Sequence, residues 1–85
     1  IICSGDIHIE RIISAGHHTA SGEWLSANRN EWVILLTGGA EVRFENEPET
    51  YVMRPGDHIY IKRGQRHRVE KTSETEKSVW LAVYF

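Results

Sequence analysis

Glu31-Trp-Val-Ile-Leu-Leu-Thr37-Gly38-Gly39-Ala40-Glu-Val-Arg-Phe44 is the stretch that decides the fold. Its second half alternates, Ala40, Val42 and Phe44 against Glu41, Arg43 and Glu45. A period of two belongs to a strand with one buried face. Its first half is apolar on both sides: Val33 and Leu35 share a face with Glu31, while Trp32, Ile34 and Leu36 share the other. Such a strand has to be covered twice, by a facing sheet and by a partner subunit or an N-terminal arm. Between the halves, Thr37-Gly38-Gly39 reads as a tight hairpin.

The same pattern extends outward. Val79, Leu81, Val83 and Phe85 alternate with Trp80, Ala82 and Tyr84, a closing strand apolar on both faces. Asn46-Glu47-Pro48-Glu49, Arg54-Pro55-Gly56-Asp57 and Arg63-Gly64-Gln65-Arg66 punctuate the chain as further turns, and Thr72 to Lys77 is a polar connection. No long window carries a helical period. Short strands at roughly ten-residue spacing predict an antiparallel all-β sandwich or barrel, at least seven strands in two facing sheets. With no repeat and no low-complexity stretch, residues 1–85 form one domain.

Composition narrows the function classes. The 85 residues are 40% hydrophobic and 26% charged, ordinary for a globular chain, and the net charge of −2 argues against general nucleic-acid binding. No apolar run approaches the ~20 residues of a membrane-spanning helix, so no membrane partner is expected. Cys3 has no second cysteine to pair with, which favours a reducing, cytoplasmic compartment and a structural role at the start of the chain.

Two spaced motifs carry more. Glu31 and Gly38 are separated by six residues, and Gly56, Gly64 and His67 follow in order at motif spacing. Together they resemble the two motifs of the cupin superfamily, jelly-roll barrels (antiparallel double-stranded β-helices) that often hold one metal ion. The block from Glu31 to Phe44, the Pro55-Gly56-Asp57 turn, His67-Arg68-Val69 and Trp80 to Val83 are similar to small bacterial single-domain cupins, over roughly residues 9 to 85. The first motif should open with two histidines, at 24 and 26 or, with a shorter spacer, at 25 and 27. Those places hold Trp24 and Ser26, or Leu25 and Ala27; Lys62 and Lys71 replace a proline and an asparagine of the second motif.

The resemblance implies a pocket centred on Glu31 and His67, with Trp24 filling the space of a missing histidine and Tyr60 beside it. Tyr51, Met53 and Trp80 are further candidate walls, and such a pocket suits a small ligand with an apolar body and a carboxylate or hydroxyl. The same residues also suit plain core packing. As metal ligands Glu31 and His67 are one donor short of a catalytic site. His8, His17, His18 or His58 would have to complete a set for zinc, iron, manganese or nickel. Lys62, Arg63, Arg66, Arg68 and Lys71 form a basic cluster that is either an anion site or solvated turn residues balancing nearby glutamates. Three functions stay open: a small-molecule-binding cupin with a degenerate metal site, a metal-dependent dioxygenase, isomerase or decarboxylase, and a filled structural barrel. Counting histidines favours the first and third. The apolar outer strand faces point to a homodimer.

Overall fold

The computed structural model describes residues 2–85, with side chains described from Gly5 onward. The expected role of Cys3 lies outside the described side chains. Eight strands form: β1 (Ile2–Ser4), β2 (Ile7–Ser14), β3 (Glu31–Thr37), β4 (Ala40–Phe44), β5 (Thr50–Met53), β6 (His58–Ile61), β7 (His67–Thr72) and β8 (Ser78–Tyr84). They make a five-stranded antiparallel sheet in the order β1-β2-β8-β3-β6 and a three-stranded one in the order β5-β4-β7. There is no helix among the described residues. The expected all-β jelly roll is the observed fold.

The turns behave differently from expectation. Thr37-Gly38-Gly39 is not a hairpin: β3 is hydrogen-bonded to β6 on one side and β8 on the other, so no edge is left for β4, which pairs with β5 and β7. The chain instead crosses between the sheets there. Arg54–Asp57 and Arg63–Arg66 are crossovers too, linking β5 to β6 and β6 to β7 across the gap. Of the four turns expected from the sequence, only that around Asn46–Glu49 joins paired strands, β4 and β5, as a hairpin. Alternation reports which face of a strand is buried, and it is silent about which strand lies alongside.

Val33, Leu35, Ala40, Val42, Met53, Trp80 and Ala82 form the buried core, with Ile12, Ile59 and Tyr84 packed against it. Leu35 and Ser78 are fully buried beside the Gly38 crossover. That end of the barrel is solid. At the other end, where β3 and β7 begin, the interior is hollow.

Residues 15–30, which carry no strand pattern in the sequence, form a strap along the free edge of β7. Leu25 and His67 exchange two backbone hydrogen bonds (2.7 and 2.9 Å), Thr19 N–H donates to the Val69 carbonyl at 2.8 Å, and Gly64 N–H donates to Ala27 at 2.9 Å. Val69 N–H donates to the Thr19 hydroxyl, and the Thr72 hydroxyl donates to the His17 carbonyl. The strap closes one side of the barrel.

Candidate functional site

The hollow end is a cavity of about 210 Å³ between the sheets. Its walls are aliphatic and aromatic: Ile12, Val33, Ile59, Ile61 and Trp80 from the larger sheet, Val42 and Val69 from the smaller, and Leu25 from the strap. Among the described residues, only Glu31, His67 and Ser14 bring polar groups to it. Glu31 is the first residue of β3 and points inward because Val33 and Leu35 do; His67 is the first of β7 and points inward with Val69. They are 9% and 7% exposed, so both polar groups were removed from bulk water on folding.

Each has a distinct electrostatic setting. Burial pushes the Glu31 carboxyl above its ordinary value; the nearby His67 and a hydrogen bond from the Tyr84 hydroxyl oppose this, and Glu10 adds to it. His67 Nδ1 lies 3.2 Å from the Gln65 carbonyl. A carbonyl only accepts, so Nδ1 carries a proton, and in the neutral tautomer this fixes, the lone pair is on Nε2. No ion pair joins Glu31 to His67 among the described residues. The two groups face one cavity with space between them.

Trp24 is elsewhere. Its ring lies over the outer face of the smaller sheet, 5.6 Å from the Arg43 guanidinium and 5.8 Å from that of Arg68. Leu25 pairs with His67, which turns Leu25 toward the cavity and Trp24 away from it. Of the two motif registers, the shorter spacer is the one that holds, and leucine stands where the histidine is missing. Tyr60 is also outside: it follows Ile59 and precedes Ile61, both cavity residues, so it faces outward and stacks on Phe85 with ring centroids 6.2 Å apart. Tyr51 is exposed and donates to Glu47, Met53 is core, and Trp80 is the one of these walls that reaches the cavity.

The four extra histidines do not join Glu31 and His67. His58 accepts a hydrogen bond from Trp32 Nε1 on the outer sheet face. His17 and His18 are exposed on a shallow groove outside the strap, and His8 lies by Glu10 on β2. The basic residues do not converge either. Arg66 reaches Glu45, Arg68 holds the strap through the Thr19 and Glu23 carbonyls, and no lysine or arginine lines the cavity.

Tyr84 and Glu10 are the residues that sequence reasoning missed. In the β3–β8 register Tyr84 stands opposite Glu31, and in the β2–β8 register Glu10 stands opposite Ala82, on the same inward face. Tyr84 shares its alternation with Trp80 and Ala82, so its inward direction was readable; its meeting with Glu31 required the strand order.

The sequence profile described as the cupin domain matches residues 12–84. The chain belongs to the cupin domain family. Among solved structures, this cupin is similar to a Ralstonia eutropha JMP134 protein provisionally named a mannose-6-phosphate isomerase, at 38% identity and a TM-score of 0.95, over 99% of this chain and 78% of that one. A cupin superfamily protein from Desulfitobacterium hafniense DCB-2 superposes with a TM-score of 0.79 at 14% identity, over 100% of this chain and 72% of the other. The DMSP lyase DddQ from Ruegeria pomeroyi DSS-3 gives 0.78 at 21% identity, over 95% of this chain and 39% of the lyase. These last two show the fold alone. Among curated proteins no sequence matches significantly.

Cupins often bind a metal, and the donor set here was tested against that. No three His, Cys, Asp or Glu side chains among the described residues come together closely enough to hold an ion. Glu31 and His67 offer one carboxylate and one imidazole, with Leu25 beside them instead of a third donor. A catalytic zinc needs about three protein ligands, and the ferrous triad two histidines and a carboxylate. The residues do not fit a firmly held metal. No helix of the structure is long and apolar enough to cross a membrane.

Proposed function

We propose that this cupin binds a small molecule inside its barrel, at a site that has lost its metal-holding character. The observation that carries the reading is the opening of Glu31 and His67 onto one largely apolar cavity of about 210 Å³. Buried polar groups without a full set of partners are costly, and a ligand that hydrogen-bonds them recovers that cost. Replacing His67 with alanine should weaken ligand binding while the far-ultraviolet circular dichroism stays that of a β protein. Equal binding by the variant would overturn the assignment of His67 to the site.

The provisional name of the Ralstonia protein would suggest a sugar phosphate as substrate. The cavity argues against it here: a phosphate calls for arginine, lysine or clustered backbone donors, and no basic side chain apart from His67 lines this space. A metal-dependent enzyme using Glu31, His67 and one further histidine is the alternative. Stoichiometric zinc, iron, manganese or nickel surviving dialysis in protein purified without an affinity tag would favour it over the present reading. A second copy of the chain is the proposed macromolecular partner.

A further inference from the structure

We infer that the cavity ligand is a small neutral molecule, a single ring or a branched chain of similar size, whose hydroxyl or N–H donates to Nε2 of His67. This rests on the barrel being a binding pocket and goes further by naming what the pocket takes. Size sets the first limit. A dry apolar cavity of ~150 Å³ accommodates benzene. A cavity of about 210 Å³, open to solvent on one side beside Leu25, therefore encloses one ring and one or two substituents.

Polarity sets the second limit. The walls are mostly hydrocarbon, so the part of the ligand they enclose has to be largely apolar. At the polar end an anionic head would find no lysine or arginine. It would lose its hydration without compensation. A cation finds weak support as well, because burial favours the neutral form of Glu31 and the Tyr84 hydroxyl already occupies that carboxyl as a donor.

Hydrogen-bond matching sets the third. The Gln65 carbonyl holds a proton on Nδ1, so in the neutral ring Nε2 is the acceptor left for a ligand. A hydroxyl or N–H on the ligand completes it, whereas a ligand with only acceptors leaves Nε2 unpaired. Ser14, across the cavity, supplies a second hydroxyl of either role.

The test is a titration of the full chain, followed by protein-detected nuclear magnetic resonance, with toluene, p-cresol, benzoate, benzylammonium and mannose 6-phosphate. The expected order places p-cresol about tenfold tighter than toluene, the difference one hydrogen bond makes to a buried acceptor. Benzoate and mannose 6-phosphate should leave the cavity signals unmoved. His67→Ala should erase the preference for p-cresol, bringing the ratio of its affinity to that of toluene from about ten to about one; His67→Leu serves if the alanine variant does not fold. Equal affinity of p-cresol and toluene in the unmodified chain overturns the donor inference and leaves the pocket standing. Tightest binding by benzoate or by benzylammonium overturns the neutral-ligand inference. Silence from both toluene and p-cresol means a closed barrel, and the proposed function falls with it.

Discussion

Glu31 is where burial and chemistry conflict most directly. Its carboxyl is raised above the 4.5 of a free glutamate, chiefly by desolvation. The folded chain therefore holds a proton there at a pH where the unfolded chain has released it. The resulting stability is complete below about pH 4.5 and is lost as pH rises through the raised folded value. Glu31→Gln keeps the shape without the ionisation, so its melting temperature should rise relative to the unmodified chain as pH passes from about 4.5 toward neutral. Identical pH profiles for the two proteins would sink this account. Tyr84 acts at the other end of the scale: burial, with Glu31 and Glu10 nearby, pushes its hydroxyl up from 10.0 to about 12. Its contribution is present below pH 10 and lost between there and about 12, and Tyr84→Phe should remove that alkaline loss in thermal melts. The resemblance to the two cupin motifs put Glu31 and His67 on inward faces. It could not place Trp24, because whether 24 or 25 faces in depends on the one-residue register of a strap whose sequence has no alternation.

At the scale of elements, the crossovers explain which glycines the fold depends on. Gly38 adopts φ +85, and a Cβ there would stand 2.5 Å from Ser78 Cα and 2.9 Å from the Lys77 carbonyl. Both are backbone atoms of the crossing chain and have little room to yield. Gly64 also has a positive φ, +77, but its Cβ would meet open space. Gly64→Ala should therefore cost about 1 kcal/mol for the conformation alone, and Gly38→Ala distinctly more. Equal loss in chemical denaturation would show that the close approach at Gly38 is not what constrains it. The positions of these glycines were legible as chain reversals, yet their kind was not. A hairpin and a sheet-to-sheet corner use the same residue types, and only knowing that β3 is paired on both edges separates them. The strap was missed for a related reason: its register comes from the backbone edge of β7 and from Arg43 and Arg68 around Trp24, not from a buried apolar row. Trp24→Ala should loosen it by roughly 0.5–1 kcal/mol or more, read as faster amide exchange at Leu25 and His67.

The whole molecule leaves one sheet face unpaired. Outward from the larger sheet point Ile9 and Ile13 of β2, Val79, Leu81 and Val83 of β8, and Trp32 and Ile34 of β3, with Arg11 and His58 toward the sides. The β2–β8 and β3–β8 registers place Leu81 between Arg11 and Ile34, so an aliphatic row along β8 and β3 is bordered by the Arg11 charge on β2. That is the anatomy of an interface: an apolar middle with a polar rim. A chain of 85 residues gains proportionately much by covering it, since a small domain buries a modest share of its surface on its own. A second copy would bring an identical apolar face, and the contact would close on itself as a two-fold dimer without exposing a new patch. Light scattering at high protein concentration should report twice the chain mass of 9.8 kDa. Leu81→Lys should return the monomer with its β-sheet circular dichroism intact, because the substituted side chain lies on the outer face, away from the cavity and core. A monomer in the unmodified chain, or a dimer indifferent to lysine in that aliphatic row, would rule this surface out.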